Sequence, residues 1–424
     1  MVNIKSNGIL FCRCFFVYFY EKFQLTPNFY MTSYKKMPLL AKVIISIALG
    51  ITCSVFFPKL LTETFATIGE IFGNFLGFII PLIIFGLVAP GIAELGKGAG
   101  KLLAITAAIA YLSTVVAGYF SYFTCSLTYP KILDPSVGFA DLESMDATKI
   151  EPLFSIDMPP VMSVTTSLIL AFVIGLGITT VKGNSLKHGL FEFRDLVTSI
   201  ITKIIIPLLP LYIFCLFLEI GAEGQVKMVL RLFLKVIAII FVMHIILLLA
   251  QFGIAGAVSR KNPLKALKNM LPAYLTALGT QSSAATIPVT LAQAKKNGVN
   301  PGLADFVIPL CATIHLSGSQ LKIVACAFAI SFMSGMDISL ATYSGFILTL
   351  AITMVAAPGV PGGAIMAALG LLTSMLGFED NLLGLMIALY ITMDSFGTAC
   401  NVTGDGAIAL MVDRIYKGKA AGTE

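Results

Sequence analysis

The chain has 424 residues, of which 57% are hydrophobic and only 12% charged, with a formal net charge of +6. Soluble domains carry about a quarter charged residues. A soluble enzyme is therefore excluded, and the positive charge needs no nucleic-acid partner, because the placement of Lys and Arg explains it.

Residues 1–36 are aromatic-rich, but their apolar part is only about a dozen residues long and no small-residue cleavage site follows it, which argues against a signal peptide. Two readings stand: an extension upstream of a start at Met37, or an interfacial segment. Apolar stretches follow at 39–58, 65–95, 100–128, 160–181, 190–221 and 226–257, several of them near the roughly 20 residues a bilayer span needs. The pattern predicts an all-α polytopic membrane protein.

From residue 263 the apolar run breaks into shorter pieces. GTQSSAAT (279–286) and AAPGVPGG (356–363) put small and helix-breaking residues in the middle of apolar segments. Gly and Pro interrupt the helical ladder, and the freed backbone groups cannot face lipid. The pieces 263–298 and 338–378 are therefore expected to be re-entrant hairpins. As a pair of interrupted segments before helices 301–331 and 381–415, they predict two related repeats meeting at a midplane site.

Orientation follows the basic residues of the short loops. Lys35, Lys36, Lys97, Lys101, Lys182, Lys187, Arg194, Arg260, Lys261, Lys265, Lys268, Arg414, Lys417 and Lys419 collect on one side. The 129–159 loop carries Asp134, Asp141, Glu143, Asp146, Glu151 and Asp157 against Lys131 and Lys149. The prediction is cytoplasmic N- and C-termini, an outward acidic loop and eight crossings plus the two hairpins.

The last helix carries MDSFGTACNVTGDGA. Asp394, Thr398, Asn401 and Asp405 are spaced i, i+4, i+7, i+11 and share one helical face over roughly 16 Å. Carboxylates at membrane depth are expensive and by default functional. No Arg lies nearby, so the missing positive partner is expected to be a ligand: an ammonium group or a bound cation. Hard cations take oxygen ligands, and NVTGD offers a carboxylate beside a glycine. The cysteines, Cys12, Cys14, Cys53, Cys125, Cys215, Cys311, Cys326 and Cys400, read as small buried hydrophobes. No GxGxxG, Walker A, GxSxG or HExxH pattern is present, and only three His argue against a metalloenzyme.

The stretches TALGTQSSAATIPVT, PLCATIHLSGS, GVPGGAIM and DSFGTACNVTGD resemble the four signatures of the dicarboxylate/amino acid:cation symporters, the glutamate-transporter fold, over about Met37 to Lys417. The resemblance implies a homotrimer in the cytoplasmic (inner) membrane that moves a small-molecule substrate with Na⁺ and/or H⁺ by an elevator motion, among membrane lipid and without an organic cofactor. The implied division is an extension at 1–36, scaffold helices at 37–98 and 160–225, helix 3 of the transport domain at 99–128, the acidic loop at 129–159, and the rest of the transport domain at 226–424. Its hairpins fall at 264–298 and 338–378.

Residue by residue, Asp394 matches the family's ligand for the substrate α-amino group and Asn401 its α-carboxylate ligand. Ser282 and Ser283 match the serine-rich tip of the first hairpin, and Val360, Pro361 and Gly362 the tip of the outer gate. Ser319 and Thr398 complete the expected substrate site. Asp405, with carbonyls near Cys311, His315 and Asn401, matches a sodium site. Tyr111, Ser113 and Thr114 match the third-helix cation ligands once a short insertion is allowed.

Two departures matter. Acidic-substrate members carry an Arg one turn after the first Asp; here that residue is Gly397, which favours a small neutral amino acid. The family's NMDGT reads HLSGS, with His315 for its Asn and Ser317 for its Asp, so one sodium site is altered. Lys322 lies on the same helical face as Ser319 and His315. It and His315 are coupling candidates, as a built-in cation or a proton carrier. Lys322 could also act as counter-charge for a dicarboxylate or acidic amino acid. An uncoupled anion channel or uniporter is the alternative of a different class.

Overall fold

The computed structural model describes residues 37–95, 101–133, 150–224 and 226–420. Every regular element among them is helical. The chain runs through α1 (Leu39–Ser54), α2 (Lys59–Leu95), α3 (Lys101–Ile132), α4 (Val164–Ile178) and α5 (Ser185–Ile200). A π-helical turn at Ile201–Ile205 leads directly into α6 (Ile206–Ala222), followed by α7 (Val226–Ser259). That widened turn sits just before Pro207, whose missing N–H and bulky ring disturb the regular ladder at this point.

The expected hairpins form. The first comprises α8 (Pro263–Asn269), α9 (Leu271–Thr280) and α10 (Ser283–Lys296), and the second α13 (Leu340–Ala356) and α14 (Gly363–Leu376). Between them lie α11 (Pro301–Ile314) and α12 (Ser317–Met333); after them come α15 (Asp380–Thr392) and α16 (Asp394–Ala420). The first tip turns on Gln281 at φ 52°, held by side-chain bonds, and the second on Gly362 at φ 72°. The last stretch is not one helix: α15 and α16 meet at Met393 with a bend of 60°. The 301–331 helix is likewise interrupted, at His315 and Leu316.

Five stretches among the described residues are long and apolar enough to cross a membrane, or six with the bent α15–α16 pair. Helices α1 and α4, with 16 and 15 residues, span only about 24 and 22 Å against a hydrocarbon core of about 30 Å, so length alone does not give the eight crossings expected from the sequence. Calls on 1–36, Lys97, 134–149 and the two N-terminal cysteines lie outside the described residues. What is described of the acidic loop packs on α2: Leu153 N donates to Thr67 Oγ1 at 2.9 Å and Asn74 Nδ2 to the Ile156 carbonyl at 2.9 Å. Of the remaining cysteines, Cys53 is half-buried and the other five are buried, and all six are free thiols.

Helices α1, α2, α4, α5 and α6 pack largely on one another, while α3, α7, the hairpins, α11, α12 and α16 form a second group. Backbones come close where glycine allows it. A Cβ at Gly50 of α1 would lie 2.7 Å from the Phe214 carbonyl oxygen and 3.0 Å from the Leu218 nitrogen of α6. At the centre is α12, buried on every side from Ser317 to Ser331. A helix so enclosed is normally apolar all round, yet this one carries Lys322.

The Gly50→Val variant forces a side chain into helix backbone that cannot yield. It is expected to lose about 1–3 kcal/mol, read as a lower melting temperature of the purified protein in detergent.

Candidate functional site

The two hairpin tips meet. Ser282 Oγ, at the first tip, donates to the Gly359 carbonyl of the second at 2.8 Å and also caps α10 by accepting from Ala285 N at 3.2 Å. Beneath them lies a narrow, nearly closed cleft, lined by both tips, by Leu316 and Ser319, and by Tyr390, Asp394, Thr398 and Asn401. Asp394 is the only ionisable carboxylate or base in that lining. Of the expected substrate residues, Ser283, Ser319, Val360, Asp394, Thr398 and Asn401 line the cleft. Ser282 and Gly362 contact it through hydrogen bonds, and Pro361 lies in the turn between Val360 and Gly362.

Asp394 begins α16 and is buried. Its Oδ2 accepts from the Gly362 backbone N–H at 2.8 Å, tying the second tip to the helix. Its Oδ1 accepts from Lys322 Nζ at 3.1 Å. The sequence reading, in which this carboxylate lacked a protein cation, is thereby corrected: the partner comes from α12, 72 positions away. The Lys322 ammonium also sits 3.4 Å from the centroid of the Tyr390 ring, a cation–π contact. It fits because residue 397 is glycine, where a Cβ would stand 2.9 Å from Nζ. The space beside Gly397 is filled by a lysine from another helix.

Asn401, on the next turns of α16, locks the start of α12. Its Oδ1 accepts from Gly318 N at 2.8 Å and Ser319 N at 3.2 Å, and its Nδ2 donates to Ser319 Oγ at 3.0 Å. The two helices touch at Gly318, where a Cβ would be 2.7 Å from Cys400 Cβ.

Asp405, further along α16, belongs to a separate polar cluster. His315 Nδ1 lies 2.9 Å from its Oδ1, and His315 Nε2 lies 3.0 Å from Ser113 Oγ of α3. Gln251 of α7 donates to Ser113 Oγ and Ser317 Oγ, both at 3.0 Å. The imidazole enters beside Gly404, where a Cβ would meet His315 Cε1 at 2.9 Å and Gln251 Oε1 at 2.7 Å. Asp405 Oδ2 and Gln251 Oε1 are buried and without a hydrogen-bond partner.

Among the third-helix candidates, only Ser113 joins this cluster. Tyr111 reaches the Leu348 carbonyl at 3.5 Å and Thr114 bonds back to Ala110 in its own helix at 2.9 Å. The Cys311 carbonyl accepts the His315 N–H at 2.9 Å at the end of α11. His315 and Lys322, expected to act on one face, serve different carboxylates instead, because the break at Leu316 separates them.

Sequence reasoning missed Gln281, whose Nε2 donates to Ser395 Oγ at 2.8 Å, and also Tyr390 and Gln251. The polarity of the two glutamines inside apolar tracts was the available signal; an aromatic such as Tyr390 gave none.

The described residues form an all-helical bundle with several membrane-length apolar helices, in which two hairpin tips close over one buried carboxylate, Asp394, the build of a multi-pass membrane protein. Residues 39–415 match the sequence model of the sodium:dicarboxylate symporter family. The chain belongs to that family, and with it to the cation-coupled symporters of amino acids or dicarboxylates. It is 28% identical over 394 residues to the serine/threonine transporter SstT of Acinetobacter baumannii (strain AYE), covering 90% of this chain and 97% of the relative. It is 29% identical over 259 residues to excitatory amino acid transporter 2 of Homo sapiens, covering 59% of this chain and 44% of the relative.

Breaking one half of a buried ion pair strands the other charge. Asp394→Ala is expected to lose about 3–5 kcal/mol of stability, and adding Lys322→Met to recover most of it. Denaturant titration of the two single variants and the double variant reads this coupling.

Proposed function

We propose that the cleft under the hairpin tips holds the transported amino acid or dicarboxylate, and that the cluster at Asp405 holds the coupling sodium ion. The observation that carries this reading is the closure of both tips over Asp394, through the Ser282–Gly359 and Gly362–Asp394 hydrogen bonds. The amides that open α10, at Ser283 and Ala284, have no acceptor within their helix and suit a substrate carboxylate. Thr398, Asn401 and Ser319 supply polar contacts around it.

The Asp405 cluster fits a hard cation. A buried carboxylate oxygen without a partner is costly unless a positive charge comes to it, and Gln251 Oε1, lying against Gly404, is a second oxygen in the same condition. The His315 ring occupies one side of this cluster, so the cation set differs from a ring of oxygens alone.

The two helix groups support an elevator: α1, α2, α4, α5 and α6 as the fixed scaffold, in a trimer, and the remaining helices as the moving body. The loop charges support cytoplasmic termini in the cytoplasmic membrane. A small neutral amino acid was favoured because Gly397 left no counter-ion; with Lys322 beside Gly397 that premise no longer holds, and the charge of the cargo turns on Lys322.

The test is uptake of labelled serine, aspartate and succinate by proteoliposomes, with and without an inward sodium gradient. Sodium-driven accumulation of at least one is expected; none from any of the three overturns the reading. Asp405→Asn is expected to cut the sodium-driven component at least about tenfold, the equivalent of ~1.4 kcal/mol. Lys295→Ala, which removes an exposed ion pair with Asp305, leaves it unchanged.

A further inference from the structure

From Val226 to Ala304 the chain carries nine Lys or Arg and no Asp or Glu. Six of the nine gather where α7 ends and the first hairpin enters and leaves: Arg260, Lys261, Lys265, Lys268, Lys295 and Lys296. Entry and exit are held side by side, because Lys261 Nζ donates to the Gly298 carbonyl at 2.9 Å and Asn269 Nδ2 to Asn297 Oδ1 at 2.8 Å. Lys295 pairs with Asp305 at 2.6 Å. Among the described residues, Arg260, Lys265, Lys268 and Lys296 form no ion pair, and all four are exposed. Charges of one sign crowded on one rim repel each other and draw an anion to them.

Beside this rim the first arm of the hairpin turns an apolar stripe outward. Leu264, Lys268, Leu271 and Leu275 are spaced i, i+4, i+7, i+11, and Met270 between α8 and α9 keeps a near-helical backbone (φ −80°, ψ −7°), so the four share a face. Each of the three leucines is half exposed or more. The rim lies against the end of α7, a 34-residue apolar helix of membrane-crossing length. At Gly256 a Cβ would stand 2.8 Å from the Lys261 carbonyl oxygen and 3.0 Å from Pro263 Cβ, so the turn folds back tightly on that helix. An acidic protein segment would answer the charges but not the leucines. A phospholipid answers both, with its phosphate at the rim and its acyl chains along the stripe, and the long lysine stems let the ammonium groups reach headgroup level from an apolar wall.

We propose that this rim and stripe dock an anionic phospholipid, its phosphate among Arg260, Lys265, Lys268 and Lys296 and its acyl chains along Leu271 and Leu275. The first hairpin is thereby anchored to one leaflet at its entry. None of these residues lines the cleft under the tips, so the docking is independent of what the cleft binds.

The experiment is native mass spectrometry of the delipidated protein in detergent, titrated with phosphatidylglycerol and, separately, with phosphatidylcholine of the same acyl chains. The wild type is expected to bind phosphatidylglycerol at least about fivefold more tightly. The double variant Lys265→Gln/Lys268→Gln is expected to lose most of that preference, whereas Lys182→Gln, at an exposed lysine elsewhere, keeps it. Lys268→Gln alone, with a smaller loss in the same direction, decides the matter where the double variant yields no folded protein. No preference in the wild type, a preference unchanged within about twofold in the folded rim variants, or an equal loss in Lys182→Gln overturns the inference. Displacement of phosphatidylglycerol by a polyglutamate peptide, but not by excess phosphatidylcholine, gives the rim to an acidic protein segment and overturns it as well.

Discussion

Charged groups at bilayer depth have no water to solvate them, so their partners must be built into the protein. Asp394 and Asp405 impose this demand on everything around α16. Asp394 takes its donors from the middle of α12 and from the tip of the second hairpin; Asp405 takes one from the break between α11 and α12. The interrupted helices follow from the same demand. Backbone amides freed at Gly318 and Ser319 go to Asn401, and the amide freed at Gly362 goes to Asp394. The tip of the second hairpin and the start of α12 are thus each held by a side chain of α16, while Thr403 Oγ1 and Asp405 Oδ2 of the same helix are left without a partner.

Much of this was legible in the sequence. The two tips announced themselves through Gly, Pro and Ser inside apolar runs, and the i, i+4, i+7, i+11 stripe placed Asp394, Thr398, Asn401 and Asp405 on one face of what proves to be a single helix, α16. What could not be read was which side chains from distant segments fill the space beside that face. Local spacing put His315 and Lys322 together, but the bend at Leu316 sends them to different carboxylates. The bend at Met393 also had no signal, since neither Gly nor Pro marks it. Absence of an Arg in the tract was read as absence of a protein cation. Periodicity reports only the neighbours along one helix, and the cation came from another.

Glycines on α16 are the means of that exchange. Gly397 admits the Lys322 ammonium, and Gly404 admits the His315 ring and the Gln251 amide. Gly318 on the facing helix lets the two backbones approach. In each case removing a side chain from one helix opens room for a functional group from its neighbour. The ammonium beside Gly397 of α16 comes from Lys322 of α12. Position in space, and not position in the chain, decides what a bound molecule experiences.

The distribution of these bonds has a mechanical consequence. Asn401 binds the start of α12 three times over, and Lys322 pins the same helix one turn later. Helices α12 and α16 are thus bound too closely to part without stranding several polar groups at once. The second hairpin tip is held to its surroundings more lightly, through Gly362 to Asp394 and through Gly359 to Ser282. Each of those bonds is worth about 1 kcal/mol net, and somewhat more where the carboxylate is the acceptor. In the proposed mechanism the tip is therefore the part that opens, while α12 and α16 travel as one body. Because Asp394 keeps Lys322 when Gly362 lets go, opening leaves no bare carboxylate in the cleft, and the gate can swing without first solvating a charge.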